Sequence, residues 1–147
     1  MNLLPLDQVL QAFYAAFAEP DRARRAELLA RCMAPDAEIT WPGDGFKGYA
    51  EISRKIDGFH QRWAGSRLVL TSGWNRYRNI VRVSGAIVDA CGVALAESQS
   101  VFELAPDGRI AKVWPFWEPL PTLPPSWPEA LSRRWGEQAD MTRREPS

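Results

Sequence analysis

Histidine and cysteine are scarce in this sequence: one histidine, His60, and two cysteines, Cys32 and Cys91, among 147 residues. A metal site needs such residues clustered at ligand spacing, and none are, so neither a metal nor a cofactor is expected. Two cysteines are too few for a disulfide scaffold and fit two reduced thiols in a cytoplasmic protein. Net charge is missing as well, since 18 basic residues balance 18 acidic ones. Without a basic footprint, neither nucleic acid nor a membrane surface is an expected partner. No apolar run approaches the roughly 20 residues that a membrane-spanning helix requires. The start, MNLLPLDQVL, lacks the basic region of a secretory signal and carries an acid early. PGDGFKG bears glycines without the spacing of a phosphate loop and reads as a turn.

Tryptophan is plentiful, with seven copies. Several crowd the stretch around which the chain is organised, ESQSVFELAPDGRIAKVWPFWE, Glu97 to Glu118. In a strand, residues two apart share a face. Ser98, Ser100, Phe102 and Leu104 share one face; Glu97, Gln99, Val101 and Glu103 share the other. Pro106-Asp107-Gly108 supplies a turn, because Pro fixes φ and Gly tolerates a left-handed exit. Pairing Leu104 with Arg109 continues the first face through Ala111, Val113, Pro115 and Trp117. Ile110, Lys112, Trp114 and Phe116 then fall on the second. The first face suits a ligand cavity and the second a subunit interface, and a one-residue slip would exchange them.

Upstream, helical spacing of Leu6, Leu10, Phe13 and Phe17 predicts a helix capped by Asp7 and running to about Glu19. Pro20-Asp21 restarts the chain into a second helix to about Met33. That helix is expected to bury Ala26, Leu29 and Cys32 and to expose Arg22, Arg24, Arg25 and Arg31. A short strand, AEITW, places Ala37, Ile39 and Trp41 on one side. A third helix from Lys47-Gly48 to Trp63 carries the stripe Tyr49, Ile52, Ile56, Phe59 and Trp63. Strands over about Arg67–Arg78 and Ile80–Ala90 follow, with Cys91-Gly92 turning the chain into the hairpin. One domain over 1–120 is expected, then a Pro-rich and charged extension, 121–147, with a short helix near Glu129–Gln138.

Three segments carry a likeness to a known family: VLQAFYAAF, MAPDAEITWPGDGFKGYAEI and SVFELAPDGRIAKVWPFWE. In that order, from Val9 to Glu118, they resemble the NTF2-like superfamily, in its SnoaL-like and ketosteroid-isomerase-like members. The resemblance implies an α+β cone, with three N-terminal helices packed against a curved antiparallel sheet around an apolar pocket. It also implies a homodimer through the outer sheet face. The fold alone does not give a reaction, because this cone serves isomerases, cyclases, dehydratases and binders. The three catalytic positions of ketosteroid isomerase align here with Trp41, Phe13 and Ser100, so its carboxylates and its tyrosine are replaced. Its pocket aromatic on the last strand aligns with Trp117.

Proton transfer needs a group whose pKa can be moved and which reaches substrate. Asp44, in the loop after the first strand, His60 and Tyr14 are the candidates. The expected cavity wall is Phe13, Phe17, Trp41, Ile56, Phe59, Trp63, Ser98, Ser100, Phe102, Val113 and Trp117. Aromatic walls with a few hydroxyls suit a small hydrophobic or aromatic molecule. Isomerisation, cyclisation or dehydration without a cofactor is one expectation; a non-catalytic dimeric ligand-binding or scaffold domain is the other.

Overall fold

A computed structural model describes residues 3–132. Helix α1 spans Leu6–Ala18 and buries Leu6, Val9, Leu10, Phe13 and Phe17, one stripe of the 3.6-residue period. Asp7 sits in its first turn rather than at the cap, which is Pro5. The helix ends at Glu19, held in extended conformation by the ring of Pro20 that follows. Asp21 then caps α2, Arg22–Cys32, accepting hydrogen bonds from the amides of Ala23 and Arg24. Helix α3, Tyr49–Arg62, starts after Gly48, whose φ of 83° is left-handed. Glu51 reaches back to accept from the Lys47 amide at 2.7 Å, a capping arrangement.

Six strands form one sheet: β1 Met33–Trp41, β2 Asp44–Lys47, β3 Arg67–Tyr77, β4 Ile80–Val88, β5 Ala94–Leu104 and β6 Ile110–Trp117. Their order is β2-β1-β6-β5-β4-β3. The expected α+β cone, three helices against a curved sheet, is the architecture found. One junction departs from the antiparallel expectation, because β1 runs parallel to β6. The chain crosses from β1 to β6 through most of the domain, which leaves either direction open. Bulges bend the sheet, including one between Leu70 and Trp74 and one between Met33 and Glu38. The second absorbs Pro35, which has no amide to give a ladder.

The core fills the concave side. Phe102, Ile52 and Ile56 are fully buried, each worth roughly 1.5–3 kcal/mol against exposure. Phe13 meets Phe102 edge to face at 5.2 Å, seating α1 on the sheet. Tyr49 donates to the Met33 carbonyl oxygen at 2.7 Å, tying α3 to the start of β1.

Two more expectations need correction. On α2, Arg25 is buried and Ala26 is exposed. The guanidinium finds enough acceptors to be enclosed, so the simple rule of arginine outside fails there. In the hairpin, Leu104 pairs with Ile110 rather than Arg109. An extra residue, Ala111, then restores the pairs Phe102–Val113, Ser100–Pro115 and Ser98–Trp117. The predicted faces survive except at Ile110, which turns inward and is fully buried. Beyond β6, a single 3₁₀ turn covers Glu129–Leu131, and the rest of the helix expected there lies outside the described residues.

Candidate functional site: an aromatic cavity inside the cone

Five of the six strands and two helices line one cavity. From β5 come Ser98 and Ser100, from β6 Val113, Pro115 and Trp117, and from β1 Ile39 and Trp41. Helix α1 supplies Phe13, Tyr14 and Phe17. Phe59 of α3, Leu68 of β3 and Gly85, Ala86 and Ile87 of β4 complete the wall. Trp41 and Trp117, both half-buried, meet edge to face at 5.5 Å. The free space is about 30 Å³, enough for a water or two and far below the roughly 300 Å³ at which ligand sites begin. An occupant must therefore displace side chains, and the two indoles are the largest in the wall.

Three hydroxyls face this space: Tyr14, Ser98 and Ser100. Gly85 lies between two of them. A methyl built on it stands 3.5 Å from Tyr14 Oη and 3.8 Å from Ser98 Oγ. Burial raises the Tyr14 phenol above its ordinary pKa, so it is a neutral O–H donor at physiological pH. Among the described residues, no aspartate, glutamate, histidine, lysine or arginine lines the cavity.

The other candidates lie elsewhere. Asp44 is exposed, accepts from Lys55 Nζ and from the Gly45 amide, and is thereby held below the usual carboxylate range. His60 Nε2 stands 2.6 Å from the Phe17 carbonyl oxygen, which only accepts, so that nitrogen carries a proton and is engaged in joining α3 to α1. Ile56 and Phe102 are fully buried and do not line the cavity. Trp63 caps α3 and faces a neighbouring groove with Asp44. Among the described residues, no three of His, Cys, Asp or Glu are grouped to hold a metal. Cys32 is buried, its thiol pushed up to about 12, which leaves no thiolate for nucleophilic chemistry. No helix among the described residues is long and apolar enough to cross a membrane.

Sequence reasoning placed Ile39 and Pro115 on the inner faces of their strands without assigning them to the wall. Leu68 and the Gly85-Ala86-Ile87 run were missed. Their alternation alone gave no register for β3 and β4, and a glycine leaves no side chain to notice.

No family model matches the chain, and no curated protein does. Solved structures do. An Agrobacterium tumefaciens protein, a proposed isomerase of the SnoaL-like family, is 27% identical with a TM-score of 0.69, over 76% of this chain and 95% of its own. The fold is that of the NTF2-like superfamily. A proposed polyketide cyclase from Sinorhizobium meliloti superposes at a TM-score of 0.57 with 18% identity, over 76% of this chain and 94% of its own. A cystatin-like fold protein of unknown function from Methylobium petroleophilum reaches 0.66 at 16% identity, over 100% and 97%. The last two resemblances are of fold. This NTF2-like chain therefore shares its cone with proteins of several proposed chemistries, and its own side chains must decide what it does.

Proposed function

We propose that this protein binds a small, flat, hydrophobic molecule inside the cone and holds one polar atom of it through Tyr14, Ser98 and Ser100. The observation that carries the reading is that three hydroxyl-bearing residues line an otherwise apolar, aromatic-walled cavity. A carbonyl oxygen is the acceptor best matched to converging O–H donors. Acid–base chemistry by Asp44 or His60 has less support, because each is engaged outside the cavity. Tyr14 is the one candidate from that set with a place at the ligand. Its role is to donate to an acceptor, which binds a carbonyl and polarises it without abstracting a proton.

The test is titration with cinnamamide, a flat aromatic amide, followed by quenching of tryptophan fluorescence. Tyr14→Phe is expected to weaken binding about tenfold, the worth of one good hydrogen bond. Equal affinity in the wild type and in Tyr14→Phe would remove the cavity hydroxyls from the account.

A homodimer through the outer sheet face is a second proposal, and it is compatible with the first. Phe116 is 57% exposed there and Tyr77 79%. Half-buried Trp114 lies opposite Val101 on the same face. A second copy would cover these side chains. Trp114→Glu with Phe116→Glu is expected to convert a sedimenting dimer to a monomer; a wild type that is already monomeric at micromolar concentration rejects the proposal.

A further inference from the structure

A second space adjoins the cavity: a surface groove of about 220 Å³ along the β1–β2 hairpin and the C-terminal half of α3. Phe17, Trp41 and Phe59 face both spaces, so aromatic side chains form the partition. The groove also contains Phe46 and Trp63, each with a cation beside its ring. Lys55 Nζ is 5.0 Å from the Phe46 centroid, and the Arg62 guanidinium carbon is 4.6 Å from that of Trp63. Asp44 pairs with Lys55, whereas Arg62 has no carboxylate partner among the described residues. Of the three charged side chains lining the groove, Lys55 and Arg62 outweigh Asp44 by one positive charge. A guanidinium against an aromatic wall still offers N–H groups for a carboxylate.

We infer that the ligand is an aromatic or cyclic carboxylate with a second polar atom: its anionic end lies on Arg62, its ring passes Trp41, and the second polar atom meets Tyr14. The inference rests on the binding reading above and adds the ligand's charge and the route by which it enters. A purely hydrophobic ligand would gain nothing from an unpaired arginine at the mouth. A carboxylate gains an ion pair there, next to apolar walls where water screens it less than in bulk. Lys55, already committed to Asp44, becomes a partner when that pair opens.

Cinnamate and cinnamamide are nearly the same shape and differ in charge, so the pair isolates the claim. The wild type at low salt is expected to bind cinnamate about tenfold more tightly than cinnamamide, an advantage that shrinks as salt is added. Arg62→Gln is expected to erase that advantage, bringing cinnamate affinity down to that of cinnamamide. Asp44→Asn, which removes the opposing negative charge, is expected to strengthen cinnamate alone. Equal affinities in the wild type, or a cinnamate preference that survives in Arg62→Gln, overturns the inference. In those cases, loss of cinnamamide binding in Tyr14→Phe leaves the cavity reading standing. No binding of either compound overturns both.

Discussion

Arg25 Nη1 donates to Asp57 Oδ1 across 2.8 Å, from a side chain only 1% exposed. The same nitrogen reaches the Ser53 carbonyl and hydroxyl oxygens, both at 3.0 Å, and Nε donates to the Glu19 carbonyl at 2.9 Å. One guanidinium thus fastens the α1–α2 turn to the middle of α3. That matters to the cavity, because α1 supplies Phe13, Tyr14 and Phe17 and α3 supplies Phe59.

Removing Arg25 leaves those acceptors facing a void. Breaking a buried pair costs about 3–5 kcal/mol, and Asp57 keeps Arg22 as a partner, so Arg25→Ala is expected at the lower end. Asp57→Asn spares the guanidinium its other acceptors and is expected to cost about 1–2 kcal/mol. Arg25→Lys does not rescue, because an ammonium cannot span acceptors set out for a planar fork. Urea unfolding of the three variants checks the order. An Arg25→Ala protein within about 0.5 kcal/mol of the wild type, the range of an ordinary surface change, would mean the fastening carries no weight.

The same pair sets an acid limit. Hydrogen bonding from Arg25, helped by Arg22, holds Asp57 below the usual aspartate value. Asp107 is lowered likewise, first by the Arg109 amide and then by its side chain. Each carboxylate therefore binds its proton more weakly folded than unfolded, so stability rises with pH through that range. Their contribution is complete above the unfolded value of about 3.9 and is lost as pH falls through the folded values. Urea midpoints measured from pH 6 downward are expected to hold level and then drop below about pH 4. Asp57→Asn should start lower and drop less. A variant curve parallel to the wild type's would exclude Asp57 as a source of the acid limb.

Much of this was legible from residue order, and the failures have physical causes. Period 3.6 located all three helices, and period 2 put Ser98, Ser100, Val113 and Trp117 on one inner face. Arg25 was misplaced because helical periodicity ranks residues by polarity, whereas burial depends on acceptors from Glu19 and Ser53, brought in by other segments. Ile110 was misplaced because a single-residue bulge is invisible to alternation. Asp44 and His60 have suitable chemistry in sequence, yet Lys55 and the Phe17 carbonyl occupy them. Such partners depend on tertiary packing.

Gly85 gives the sharpest test of whether the cavity floor is shaped for a ligand. Glycine inside a strand ordinarily weakens it, and replacing it by alanine at a compatible site stabilises by about 0.4–1 kcal/mol. At Gly85 the added methyl meets the Val69 carbonyl oxygen at 3.1 Å and Tyr14 Oη at 3.5 Å. Val69 belongs to the paired strand β3, so its backbone cannot retreat without disturbing the ladder. The expected sign therefore reverses, to a loss of about 1–2 kcal/mol from overpacking. The methyl also takes the space between Tyr14 and Ser98, so cinnamamide binding should fall with it. Gly73 is the control, since a methyl there meets nothing within 4 Å, and Gly73→Ala is expected to leave both properties unharmed. If Gly85→Ala matches Gly73→Ala in thermal unfolding and binds cinnamamide like the wild type, the missing side chain at Gly85 is not what makes room for a ligand, and Tyr14 and Ser98 do not grip one together there.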